Sequence, residues 1–74
     1  MQYTDFGKFI RIKREKLEPK VSLNTFALDI GIEPATLSRI ERGLQKISLT
    51  EIGKIANGFN IKASELIKEY ELNF

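Results

Sequence analysis

Residues 23–42 read LNTFALDIGIEPATLSRIER, Leu23 to Arg42, and the way this stretch divides decides the fold. Leu23, Phe26, Ala27 and Ile30 recur at i, i+3, i+4 and i+7, the spacing that lays one apolar stripe along a helix. Gly31 breaks the pattern, and glycine readily takes the left-handed conformation that ends a helix and re-aims the chain. Pro34 suits the start of a second helix, where the N–H it lacks would be unpaired anyway. On that helix Leu37, Ile40 and Glu41 define an inward side, and small Ala27 lets the two helices cross closely.

Two helices so joined form a helix-turn-helix. Counting from Leu23, the motif asks for a small residue at its fifth position, glycine at its ninth, and apolar residues at its fifteenth and eighteenth. Ala27, Gly31, Leu37 and Ile40 stand at those places. The run TLSRIERG, Thr36 to Gly43, resembles the signature of the Cro/XRE-type (lambda-repressor-like) DNA-binding domains. The resemblance continues through FGKFIRIKRE (Phe6 to Glu15) and SLTEIGKIANGFNIKASEL (Ser48 to Leu66), so it covers most of the chain. It implies an all-α, compact five-helix domain over residues 1–74, with the helix-turn-helix at helices 2 and 3.

The outer face of the second arm, expected at about 34–42, is the candidate DNA reader. With Leu37 at 0° and about 100° per residue, Ile40 and Glu41 fall within about 60° of it, while Ala35, Arg39 and Arg42 lie opposite, flanked by Thr36 and Ser38. A small, basic and hydroxylated face enters a major groove without steric conflict. Arg39 is the leading base reader, because its planar fork matches the N7 and O6 acceptors of guanine. Ala35, one turn earlier, suits a thymine methyl. The loop after Gly43 corresponds to a family segment that approaches the DNA backbone, which makes Gln45 and Lys46 phosphate candidates beside Arg42; Leu44 is expected to pack inward.

The chain also departs from the resemblance. Many relatives place Gln at the first residue of helix 2, on a DNA phosphate; Leu23 cannot make that bond, and Asn24 is the available substitute. Glu33 replaces the usual Ser or Thr cap of helix 3. Its carboxylate suits a cytosine amino group, yet its charge opposes nearby phosphates. Pro34 stands where some relatives carry a polar base-reading side chain. The first connection, LEPKVS, is about two residues longer than usual and brings Lys20 as a further phosphate candidate.

Outward from the motif, helix 1 is expected from Thr4 or Asp5 to Lys16, with Thr4 as N-cap and Phe6, Phe9, Ile10 and Leu17 as its stripe. Arg14 lies on that stripe, and a buried arginine needs a partner. In the family such an arginine pairs with the glutamate of helix 3, which implies a structural Arg14–Glu41 salt bridge. Pro19 forbids continuation of helix 1, and Ser22 caps helix 2. Ser48 and Glu51 form a capping box for helix 4, whose stripe is Ile52, Ile55, Ala56 and Phe59. Gly53 and Gly58 weaken that helix unless close packing requires them. Asn60 ends it, and helix 5 presents Ala63, Leu66, Ile67 and Tyr70. Residues 62–74 are the candidate dimerisation segment, with Leu66, Ile67, Tyr70, Leu72 and Phe74 as its contact residues.

Length and composition narrow the classes. The chain has 74 residues, 42% of them hydrophobic, enough for one small core. It holds no Cys and no His, so a disulfide or thiolate site is excluded and a zinc site would need carboxylates alone. No metal or other cofactor is expected. No apolar run approaches a membrane span and no signal-peptide pattern opens the chain, so a cytoplasmic protein is expected. Net charge is only +2, but residues 1–46 carry nine Lys/Arg against six Asp/Glu, whereas residues 47–74 carry three against four. The basic bias accompanies the reading helix.

The leading function is sequence-specific binding of double-stranded DNA by a small transcriptional regulator, a homodimer on a palindromic operator. The competing class is an antitoxin or other interaction protein that uses the same fold to bind a protein partner, a toxin or an antirepressor. Leu23, Glu33 and Pro34 give that class its weight. An enzyme is not expected, because the sequence offers no nucleophile–base set, phosphate loop or convergent carboxylate pair.

Overall fold

The computed structural model describes residues 3–73. Five helices follow in order: α1 (Tyr3–Glu15), α2 (Leu23–Ile30), α3 (Pro34–Glu41), α4 (Leu49–Gly58) and α5 (Ala63–Asn73). No strand occurs among the described residues. The all-α, five-helix expectation therefore holds.

Local chemistry sets the ends. The Ser22 hydroxyl accepts from the Thr25 N–H at 3.1 Å, and Gly31 closes α2 at φ 77°. Glu33 precedes α3 without a side-chain cap, with Pro34 in the first turn behind it. At α4 the capping box is complete: the Ser48 N–H donates to the Glu51 carboxylate at 2.9 Å, and the Glu51 N–H donates to Ser48 Oγ at 3.1 Å. Asn60 takes a left-handed φ of 58° just beyond α4. The start of α1 corrects the sequence expectation. Thr4 is not an N-cap but already lies inside the helix. The expected bound of about 42 for the second arm shifts too, since α3 ends at Glu41 and Arg42 is its C-cap.

The core gathers Phe6 and Ile10 from α1, Leu37 and Ile40 from α3, Ile55 from α4 and Leu66 from α5, all essentially fully buried. α1 packs mainly on α3, α2 on both α3 and α4, and α4 on α5. Rings tie α5 back to α1: Tyr70 meets Phe6 at 5.2 Å and Phe9 at 5.7 Å between centroids, both edge-on. Lys13 adds an ion pair to Glu69 at 2.8 Å and stands 5.1 Å over the Phe59 ring.

Two glycines set close approaches. A Cβ on Gly7 would collide with the Ile40 carbonyl, so α1 and α3 meet backbone to backbone. A Cβ on Gly58 would stand 2.8 Å from Phe26 Cζ, whereas one on Gly53 would meet open space. Close packing thus accounts for Gly58 and not for Gly53.

Burial of helix 5 corrects the expected interface. Leu66 and Tyr70 are buried in the chain's own core. Ile67 is half-buried against that core, and Leu72 is 77% exposed. Phe74 lies outside the described residues. Leu66 and Tyr70 of the helical stripe turn inside the domain because α1 supplies a matching aromatic face.

Candidate nucleic-acid interface

The inward side of α3 fixes its outward side. Leu37 and Ile40 are buried, and Glu41 is held by Arg14. That pair is bidentate: Arg14 Nε donates to Glu41 Oε2 at 2.8 Å and Nη2 donates to Oε1 at 2.9 Å. The remaining terminal nitrogen, Nη1, donates to the Val21 carbonyl at 3.0 Å, which anchors the α1–α2 connection as well. The two side chains are 10% and 3% exposed. Hydrogen bonding to Glu41 raises the Arg14 pKa above the usual arginine value, against the opposing effect of burial. No buried side-chain polar atom among the described residues lacks a partner.

With that side anchored, α3 turns Ala35 and Arg39 to solvent and leaves Thr36 and Ser38 partly exposed. Arg39 is exposed, and among the described residues its guanidinium bonds to Gln45 and Thr36. Its Nε donates to Gln45 Oε1 at 2.8 Å and its Nη2 donates to Thr36 Oγ1 at 3.2 Å. Arg42 forms a second small group, donating from Nε to the Ser38 carbonyl at 3.3 Å and to Ser38 Oγ at 3.2 Å. Gly43 takes φ 72°, and the Leu44 N–H returns to the Arg39 carbonyl at 2.9 Å, which folds the following loop back along α3.

The remaining sequence-derived site residues are distributed around this face. Lys46 is exposed in the loop, Glu33 is exposed at the head of α3, and Asn24 is exposed in the first turn of α2. Lys20 lies in a separate depression with Val21 and Ser22, beside Arg14 and Glu15, and does not join the Arg39 group. Leu44 contradicts its expectation. It is 64% exposed and not packed inward, because the loop's return bond is made by its backbone while its side chain faces out. A further basic candidate, not singled out from the sequence, is Arg11, which lines one depression with Arg42, Ser38 and Leu23. Its sequence signal was an exposed position one residue after Ile10, with an i,i+4 partner in Glu15 at 3.3 Å.

The arrangement suits a duplex. The exposed face of α3 that carries Arg39 is flanked on the loop side by Lys46 and on the α1 side by Arg11. Among the described residues no cluster of carboxylates could hold a metal ion. None of the described helices is long and apolar enough to cross a membrane.

Comparison with known proteins agrees with this geometry. The sequence model of the family described as helix-turn-helix matches residues 10–66. The chain is similar to the uncharacterized HTH-type transcriptional regulator YvzC of Bacillus subtilis (strain 168), at 47% identity over 45 residues, 61% of this chain and 58% of that protein. It thus spans less than two thirds of that relative. It is also similar to the control protein C.MunI of a Mycoplasma species, at 34% identity over 67 residues, 89% of this chain and 88% of that one. The structure of the clp gene regulator ClgR from Corynebacterium glutamicum superposes with a TM-score of 0.81, covering 99% of this chain and 76% of that one; at 19% identity the likeness is one of fold.

Proposed function

The chain belongs to the helix-turn-helix family of transcriptional regulators, in its Cro/C1 branch, and on that premise we propose that it binds double-stranded DNA sequence-specifically with α3 in the major groove. One observation carries the reading: α3 is anchored through Leu37, Ile40 and the Arg14–Glu41 pair, and its opposite face presents Arg39 to solvent. Arg39 reads a guanine edge, with Ala35 against a neighbouring thymine methyl and Thr36 and Ser38 at the flanks. Glu33, at the head of α3, accepts from a cytosine amino group. Arg42, Lys46, Asn24 and Lys20 contact phosphates and set the register, and Arg11 joins them beside Leu23.

The protein acts as a homodimer joined near the exposed end of α5, with Leu72 as the principal apolar contact. Two copies then address half-sites about 34–36 Å apart, one turn of duplex. The test is selection of bound sequences from a random duplex pool at physiological salt. A two-fold-symmetric consensus with a guanine in each half-site is expected; recovery of unrelated sequences would sink the proposal.

A second reading has one observation in its favour. Leu44, on the connection that follows α3, and Leu49, the first residue of α4, are 64% and 83% exposed, apolar side chains suited to a protein partner such as a toxin or antirepressor. DNA affinity at background, in the same pool, is the outcome that reading requires.

A further inference from the structure

We propose that Gln45 is a positioning residue for base recognition, which holds the Arg39 guanidinium so that its terminal Nη1–Nη2 end, and not its Nε edge, meets the base pair. The inference rests on the reading above that Arg39 enters the groove. Gln45 stands in the loop beyond α3, six residues after Arg39, and its amide oxygen accepts from Nε at 2.8 Å. Thr36, one turn earlier on the helix, accepts from Nη2 at 3.2 Å. A long arginine side chain samples many rotamers in solution, and two partners on separate elements restrict it before DNA arrives.

The donor inventory then decides which edge is offered. Guanidinium has five N–H donors. The single Nε hydrogen is taken by Gln45 and one Nη2 hydrogen by Thr36. Both Nη1 hydrogens and the other on Nη2 remain; with Thr36 on the Nη2 hydrogen that flanks Nε–H, the outer Nη1 and Nη2 hydrogens point in parallel at the end of the fork, the spacing that guanine N7 and O6 accept. The amide orientation is set by the same chemistry: a flipped Gln45 would place its NH2 group against the Nε–H donor. Gln45 reaches the place because Gly43 turns the chain and the Leu44 N–H closes on the Arg39 carbonyl at 2.9 Å. The sequence-derived role of Gln45 as a phosphate ligand is thereby replaced by one that acts through Arg39.

The two roles have different signatures. The experiment compares the full chain with Gln45→Ala, Gln45→Glu, Arg39→Ala and the Arg39→Ala/Gln45→Ala double variant. Each is titrated against the selected duplex and against all single-base changes at the Arg39-dependent position, with thermal melts recorded alongside. Gln45→Ala should reduce discrimination at that position by about two- to twelvefold, the range of one hydrogen bond, and leave other positions within about twofold. Melting should be unchanged. Gln45→Glu should keep the base preference, because its carboxylate oxygen still accepts from Nε, while overall affinity falls near the phosphates. In the Arg39→Ala background Gln45→Ala should do nothing more. Equal loss on every duplex, or independent and multiplying effects of the two substitutions, would overturn the proposal in favour of a backbone contact. If Arg39→Ala erases discrimination and Gln45→Ala preserves it, the role of Gln45 alone falls. If Arg39→Ala leaves discrimination intact, base reading by Arg39 falls and this role with it.

Discussion

Removing the Glu41 carboxylate should strip this domain of a large share of its stability, and removing its partner as well should restore it. Arg14 makes two bonds to Glu41, at 2.8 and 2.9 Å, and its side chain is only 10% exposed. In Glu41→Ala the guanidinium stays buried with the Val21 carbonyl as its one remaining partner of those three bonds. Stranding a buried charge in this way costs about 3–5 kcal/mol, against about 0–1 kcal/mol for an exposed ion pair. At about 0.05–0.15 kcal/mol per residue, a chain of this length has roughly 4–11 kcal/mol in total. The single variant therefore loses about a quarter of its stability or more. With a urea m-value of about 1 kcal/mol/M for so small a domain, the midpoint should fall by about 3 M or more. In Arg14→Met/Glu41→Leu both charges go and apolar side chains fill the space, so stability should return to within about 1 kcal/mol of the parent. Urea melts followed by circular dichroism measure all three proteins. A Glu41→Ala midpoint within experimental error of the parent would refute the burial argument. The double variant should also bind the selected duplex like the parent. Lost affinity in a stably folded double variant would make Arg14 a DNA ligand and not a structural group.

Three other outcomes follow from the same geometry. Arg39→Ala should cost about 1–3 kcal/mol at the selected site and relax preference at one base; equal loss on every sequence, in competition titrations, would remove its base-reading role. Lys46→Ala should weaken binding uniformly and lower the slope of log K against log salt by about one, whereas an unchanged slope places Lys46 off the backbone. Gly7→Ala improves helix propensity by about 1 kcal/mol yet drives a Cβ into the Ile40 carbonyl, and with overpacking at the upper end of about 1–3 kcal/mol a net loss of about 2 kcal/mol is expected in urea melts. A stabilised Gly7→Ala protein would mean that α1 can lift from α3 freely.

The signals legible from residue order alone were local. Spacing of Leu23, Phe26, Ala27 and Ile30, the break at Gly31, Pro34 behind Glu33, and the Ser22 and Ser48 caps each act within one helical turn, so they are legible residue by residue. The outward aim of Arg39 was legible too, because the angle between Leu37 and Arg39 is a property of any α-helix. The Arg14–Glu41 pairing came from resemblance, since nothing local links two residues on different helices. Only the tertiary structure decided what covers each apolar stripe. Periodicity marks a face and does not say whether it meets the chain's own core or another chain; Tyr70 against Phe6 and Phe9 settled that for α5. Gly7 carried no sequence signal, as a glycine in a helix looks like a defect until the Ile40 carbonyl is seen above it. Leu44 and Gln45 sit in a loop, where no repeat constrains direction. Their side chains were aimed by the path of the backbone after Gly43, which turned one leucine outward and brought an amide to the guanidinium.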